Sequence, residues 1–309
     1  MSIAVLLLCF GSPSTKDEIK PFLYNLFSDT NIFPLPFAQK LFARLISETR
    51  ARSIGKKYDK IGGGSPYNKL TFLQSVALQR ELAKRNGNYK VFVGFLYCKP
   101  FVEDVLNEIL CLDYEKIILL PLYPQYSFAT TRAAFSRVKN KEKHMVFIND
   151  FHNHPLYIKS VVGRINDALQ KLKSFDDLHI VFTAHNIPRK MIEEGDTYEK
   201  QVNVTVHSVF EKLNKNIPYH IAYQSKVGFG RWLTPSTEKL IEHLKVNGAK
   251  RLVMVPISFV CEHFETLYQV GVEYRNLAMK LGYEEFVMTE ALNDSPDFIQ
   301  AIADIVEKS

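Results

Sequence analysis

Short apolar runs alternate along the chain with longer stretches in which apolar positions return every three or four residues. The runs at 3–9, 90–94, 116–120, 178–183, 220–224 and 250–255 are rich in Val, Ile, Leu and Phe and read as strands buried on both faces. Most are followed by a stretch with the period of an amphipathic helix. Strand and helix in alternation are the signature of βαβ units, so the predicted class is α/β, with parallel sheets flanked by helices. Ligands of such sheets bind beyond the carboxyl ends of the strands, and chemistry is to be sought there.

The pattern also repeats. "YKVFVGFLYCKPFVEDVLNEI" and "YHIAYQSKVGFGRWLTPSTEKLIEHL" both run strand, loop, proline, helix. "EKIILLPLYPQYSFATTRAAFSRV" and "AKRLVMVPISFVCEHFETLYQVGVEY" both run strand, proline, loop, helix. Pro100 and Pro235 are 135 residues apart, and so are Pro121 and Pro256. Two similar domains, 1–155 and 156–309, facing each other across a cleft are expected, with the last helix (296–308) packing back on the first.

Composition narrows the class without changing it. The 309 residues are 46% apolar and 23% charged, which is ordinary for a globular protein. No run approaches 18 uninterrupted apolar residues, so no transmembrane helix is expected. The apolar start lacks a basic region and a cleavage site, and it reads as a first strand in a cytoplasmic protein. Cys9, Cys98, Cys111 and Cys261 are far apart and form no C-x-x-C pair, which argues for reduced thiols rather than disulfides or structural zinc. The net charge of +6 comes without the aromatic-interleaved basic motifs of RNA readers, so no nucleic-acid partner is expected.

Four features carry candidate chemistry. "IGGGSP" (61–66) lacks the lysine of a phosphate loop and reads as a tight turn needing positive φ. "FTAHNIP" (182–188) sets His185 at the end of a buried run. In "SFVCEHFETLYQVGVEY" (258–274), a helix would set Glu262, Glu265, Gln269 and Glu273 on one face. Such a row is a solvated surface in most helices, but here it begins directly after a strand and points toward the ligand-binding end. His185 and Glu265 together suit Fe²⁺, which accepts mixed nitrogen and oxygen donors.

Phe10, Tyr97, Tyr123, Tyr126, Phe128, Tyr198, Trp232 and Phe259 crowd the strand ends and would wall a flat apolar ligand. Trp232 is the only tryptophan. Finally, 33–60 sets Phe37, Leu41 and Leu45 at helical spacing among Lys40, Arg44, Arg50, Arg52, Lys56, Lys57 and Lys60. This is either an ordinary surface helix or one that touches a membrane surface, and its cations can pair with ligand carboxylates.

These motifs resemble, in order and near the spacing, those of the ferrochelatase family, over essentially the whole chain. The matching segments are "LLLCFGSPSTKDEIKPFLYNLFSD", "YDKIGGGSPYNKLT", "LPLYPQYSFATT", "FTAHNIPRKMIEEGDTY", "YQSKVGFGRWLTP" and "VPISFVCEHFETLY". The resemblance implies two Rossmann-like domains with a porphyrin in the cleft. It implies insertion of Fe²⁺, a substrate, with loss of two pyrrole protons, and no permanently bound cofactor. His185 matches the family's active-site histidine and Glu265 its paired glutamate, the usual iron positions. Tyr123, Ser127, Tyr198, Trp232, Ser258, Phe259 and His263 match positions that line or support the pocket, and Phe10 one against the macrocycle. Glu262, His263, Gln269 and Glu273 fall where a second layer, or a path for protons or iron, would run.

The chain also departs from the pattern. Asn186 stands where glycine or serine is usual, Glu262 where aspartate is common, and Gln269 interrupts the acidic ladder. Leu96 replaces an arginine of some members, so Arg50 or Arg52 would take a propionate. "TTRAA" stands for the commoner "TTGSS". Phe128 stands at an iron–sulfur ligand position, and the cysteine-bearing C-terminal extension is missing, so no cluster is expected. Protoporphyrin IX is the expected substrate, with coproporphyrin III ferrochelatase or a non-catalytic porphyrin carrier as alternatives. A monomer in peripheral contact with the inner membrane face through Phe22, Leu26, Phe27, Phe33 and Phe37 completes the expectation.

Overall fold

A computed structural model describes residues 2–33, 37–85, 87–138, 144–226 and 230–309; residues 34–36 of the basic segment and 227–229 of "YQSKVGFGRWLTP" lie outside the described residues. The chain divides into two units, Met1–Phe151 with Asn293–Ser309, and His152–Leu292.

The first unit is built on a parallel sheet of four strands, β1 (Ile3–Cys9), β2 (Tyr89–Phe95), β3 (Lys116–Pro121) and β4 (Met145–Phe147), in the order β2-β1-β3-β4. Its helices are α1 (Ile19–Phe27), α2 (Gln39–Tyr58), α3 (Tyr67–Lys84), α4 (Val102–Leu110) and the short α5 (Ala133–Ser136). Ala4, Leu6 and Leu8 alternate along β1 and pack in one cluster with Val102, Val105, Leu106 and Ile109 of α4. Those four α4 positions follow the i, i+3, i+4, i+7 stripe of an amphipathic helix.

The second unit repeats the plan with β5 (Leu178–His185), β6 (Tyr219–Gln224), β7 (Arg251–Pro256) and β8 (Glu285–Met288), parallel in the order β6-β5-β7-β8. Its helices are α6 (Pro155–Leu169), α7 (Arg189–Glu193), α8 (Tyr198–Leu213), α9 (Thr237–Val246), a π-helix (Glu265–Tyr274) and α10 (Arg275–Lys280). Val181, Ala222, Leu252 and Met254 pack against Leu240, Ile241 and Leu244 of α9. The last helix, α11 (Pro296–Glu307), belongs to the first unit and packs on α3. Burying one such aliphatic side chain stabilises by about 1.5–3 kcal/mol. Half-exposed ion pairs such as Lys16–Asp59 and Lys20–Glu48 each contribute about 0–1 kcal/mol, so sheet–helix packing decides this fold.

The two parallel sheets flanked by helices agree with the class that the apolar runs imply, and the matching strand orders with the repeat. Two findings differ from expectation. The edge strands β4 and β8, of three and four residues, have apolar stretches (MVF and FVM) too short to mark a strand, and form by main-chain pairing to β3 and β7. The expected helix over 258–274 begins only at Phe264 and is wound as a π-helix over Glu265–Tyr274, so Glu262 and His263 precede it. Such i→i+5 winding is rare and occurs mostly at functional sites. Both sheets have a switch point at their central strand, where the chain leaves to one side and returns on the other. For β5 that point is His185, the setting in which open α/β sheets bind ligands.

Candidate active site

His185 is the last residue of β5, and the parallel register sets it opposite Gln224 at the end of β6. On the other side the chain leaves β7 at Pro256, and Ser258 Oγ accepts the His185 backbone N–H at 3.0 Å. Glu265, the first residue of the π-helix, meets the imidazole: Nδ1 and Glu265 Oε2 are 2.9 Å apart. A carboxylate oxygen only accepts, so Nδ1 carries a proton, and whenever the ring is neutral its lone pair is at Nε2.

Glu265 Oε2 accepts two further contacts, Gln224 Nε2 at 3.1 Å and Ser225 Oγ at 3.2 Å. Gln224 is oriented from behind by Thr183, whose hydroxyl donates to its Oε1 at 2.9 Å and sits 2.9 Å from Thr237 Oγ1. Ser225 adopts φ +63°, a left-handed conformation that costs a non-glycine residue about 1–3 kcal/mol and recurs at functional sites. There its single hydroxyl proton serves either Glu265 or Gln269 Oε1. Gln269 in turn donates to Tyr274 Oη at 3.0 Å, and Tyr274 donates to Glu238 at 3.2 Å.

The electrostatics follow from this packing. Burial works to raise the Glu265 pKa, but the His185 charge and hydrogen bond, with help from His263 and Gln224, hold the carboxyl down at about 2. Burial likewise works to lower His185, and Glu265 outweighs it, so the imidazole pKa is raised. His185 is the more open partner, its side chain 39% exposed against 23% for Glu265.

The remaining expected residues divide by what they touch. Phe259 presents its ring edge-on to His185 at 6.4 Å and packs on His263 at 4.3 Å. His263 Nδ1 donates to Cys261 O at 3.2 Å, and burial lowers its pKa. Tyr198, only 5% exposed, is buried instead of forming an open wall, and burial raises its pKa. Trp232 is half-buried and bridges Pro188, three residues beyond His185.

Glu262 does not join the Glu265 row. Standing before the helix, it accepts from Thr266 Oγ1 and, at 2.7 Å, from the Ala291 N–H, and burial raises its pKa. Glu273 lies on the helix and interacts with the Tyr268 hydroxyl. Phe10, Arg50, Tyr123 and Ser127 belong to the first unit. Phe10 directly follows β1 and packs on Tyr97 at 4.6 Å, and Tyr123 is buried just past β3. Ser127 caps the turn after it by accepting from Ala129 N–H at 3.2 Å, and Arg50 lies 5.8 Å from the Phe27 ring centroid. Gln224 and Thr183 went unassigned in the sequence reading, and so did Ser225. Their one signal was their place at the carboxyl ends of runs inside the matched motifs.

A paired parallel-sheet fold with an imidazole–carboxylate couple at a switch point defines a class, and the class has known members. Fold likeness alone links the chain to SirB from Bacillus subtilis with Fe³⁺, at TM-score 0.58, 12% identity and coverage of 100% of this chain and 95% of that one. Ferrochelatase from Aquifex aeolicus is 44% identical over 314 residues, covering 99% of each chain. Ferrochelatase from Geotalea uraniireducens is 39% identical, covering 99% of this chain and 97% of its own. The family pattern described as Ferrochelatase matches residues 2–309. The chain belongs to the ferrochelatase family. It is an enzyme, a lyase that inserts iron into a porphyrin for haem synthesis.

Proposed function

We propose that this ferrochelatase inserts Fe²⁺ into protoporphyrin IX, with His185 as the acceptor of the two pyrrole protons in turn and Glu265 as its charged partner. The observation that carries the assignment is the 2.9 Å bond from His185 Nδ1 to a carboxylate oxygen already engaged by Gln224 and Ser225. Glu265 Oε2 is thereby committed to orienting and charging the imidazole, and Nε2 is left as the basic atom. Metallation exchanges two N–H protons for one Fe²⁺, so each turnover releases two protons, and an imidazole made more basic by Glu265 suits the step. Glu265 Oε1, outside these three contacts, is the oxygen available to the incoming metal. Phe259 and Trp232 grip the ring edge. Grip that tilts the pyrrole nitrogens out of plane can contribute about 1–5 kcal/mol of ground-state distortion. The route calls on no iron–sulfur cluster and no resident cofactor.

Protoporphyrin carries apolar vinyl groups where coproporphyrin III carries two more propionates. Among the described residues no helix is long and apolar enough to cross a membrane. Yet Phe37, Leu41 and Leu45, four residues apart in turn, are 85%, 59% and 59% exposed among the cations of α2. Apolar residues flanked by lysine and arginine suit shallow contact with an anionic lipid surface, into which a flat apolar porphyrin would partition. Anaerobic turnover on both porphyrins tests the reading, with and without anionic vesicles. Protoporphyrin is expected to be preferred, and vesicles to raise its turnover alone. Preference for coproporphyrin III, with no vesicle effect, would reverse the substrate assignment.

A further inference from the structure

Asn186 follows the candidate base directly and is 1% exposed. Its carboxamide pairs at both ends with one peptide unit 47 residues away: Nδ2 donates to Leu233 O at 3.1 Å, and Oδ1 accepts from Leu233 N–H at 3.0 Å. Its own N–H donates to Gln224 O at 2.8 Å, on the β6 side of His185. The next residues continue the contact. Pro188 bridges Trp232 in antiparallel sense, and Arg189 N–H donates to Arg231 O at 2.9 Å. At its far end the segment is tied to β6, where Tyr223 N–H donates to Pro235 O at 3.0 Å. Leu233, at the middle, is fully buried.

A buried peptide unit needs both its donor and its acceptor satisfied, and an amide side chain offers both in one plane whatever the pH. Glycine or alanine at 186 would offer neither. Serine is too short to meet both atoms, and an ionised aspartate would accept from Leu233 N–H but repel Leu233 O.

We propose that Asn186 is a positioning residue for metal insertion: its two-point bond to Leu233 ties the segment carrying Trp232 to the strand end carrying His185, so that ring grip and proton acceptor are set together. This rests on the porphyrin reading above, but its test does not depend on it. Trp232 is the only tryptophan in the chain, so intrinsic fluorescence reports on this segment alone. Asn186→Ala is expected to move Trp232 emission to longer wavelength, increase acrylamide quenching, and lower kcat/KM for the porphyrin about 10–100-fold, with more of the loss in KM than in kcat.

Asn186→Asp gives a second readout that a merely space-filling role would not move. A protonated carboxyl has one donor and one acceptor, so its emission should match the wild type at acid pH and shift as the group ionises; wild type followed over the same range should not show that step. Unchanged emission in Asn186→Ala overturns the proposal, and so does an Asn186→Asp emission that does not titrate. If the wild type inserts no iron, the porphyrin reading falls, and the emission results still decide the tie.

Discussion

Glu265→Gln is expected to lower kcat/KM for iron insertion by about 10²–10³-fold, equivalent to about 3–4 kcal/mol of lost transition-state stabilisation. Glutamine can still accept from His185 Nδ1, and Gln224 and Ser225 can still donate to it, so the geometry survives and the charge does not. When a pyrrole proton reaches Nε2 the ring becomes imidazolium, and the carboxylate stabilises that cation. The loss should fall on kcat, with the porphyrin KM little changed.

The pH profile gives an independent sign. Insertion requires neutral His185, so activity rises with pH through the His185 pKa. Burial lowers that pKa and Glu265 raises it, with Glu265 prevailing. Removing the charge leaves burial unopposed, so the midpoint of the acid limb should move to lower pH in Glu265→Gln while the plateau falls. A steady-state profile from acid to mildly basic pH reads both quantities. A midpoint that rises, or a plateau that holds, contradicts the assigned roles.

The second large effect is on stability and comes from the glycine cluster. Gly62 and Gly63 have φ +95° and +88° and open space beside them, so alanine at either pays mainly for the left-handed backbone, about 1–2 kcal/mol. Gly64 is different: a Cβ there would lie 1.9 Å from Ser14 O and 2.6 Å from Ser14 C. Both obstacles are backbone atoms, and the neighbouring Ser65 N–H donates to Pro13 O at 2.8 Å, so making room breaks a main-chain contact. Gly64→Ala should cost about 3 kcal/mol or more, roughly 6–12 °C in the melting temperature of a unit this size. Thermal melts of the three alanine variants should rank Gly64 last by a clear margin; equal melts would show that the 64–65 turn and the 13–15 loop separate freely.

Six strands were legible because each carries an apolar run; β1, β3, β5 and β7 are buried on both faces nearly throughout, and β2 and β6 over their carboxyl halves. Met145–Phe147 and Glu285–Met288 were not, since three or four residues leave no period to read. The site was legible where chemistry sits in a residue type. His185 closes a buried run and Glu265 stands in the acidic row after another, places where such residue types are noticed. Gln224 and Ser225 are neutral residues whose importance comes from the register that sets Gln224 opposite His185 and from a backbone angle that no local pattern announces. The helix after Glu265 has an ordinary apolar period, which does not announce its π winding. Asn186 stood out as a departure from the family pattern, and its reason lay 47 residues away at Leu233.

The central claim, that His185 paired with Glu265 carries porphyrin metallation, is tested most directly by anaerobic Fe²⁺ insertion followed by porphyrin absorbance, with wild type, His185→Ala and a protein-free control side by side. The account predicts metallation well above the protein-free rate for wild type and a loss of about 10²–10⁴-fold in His185→Ala, with porphyrin binding retained. A His185→Ala rate equal to wild type, or a wild-type rate equal to the protein-free control, would contradict it.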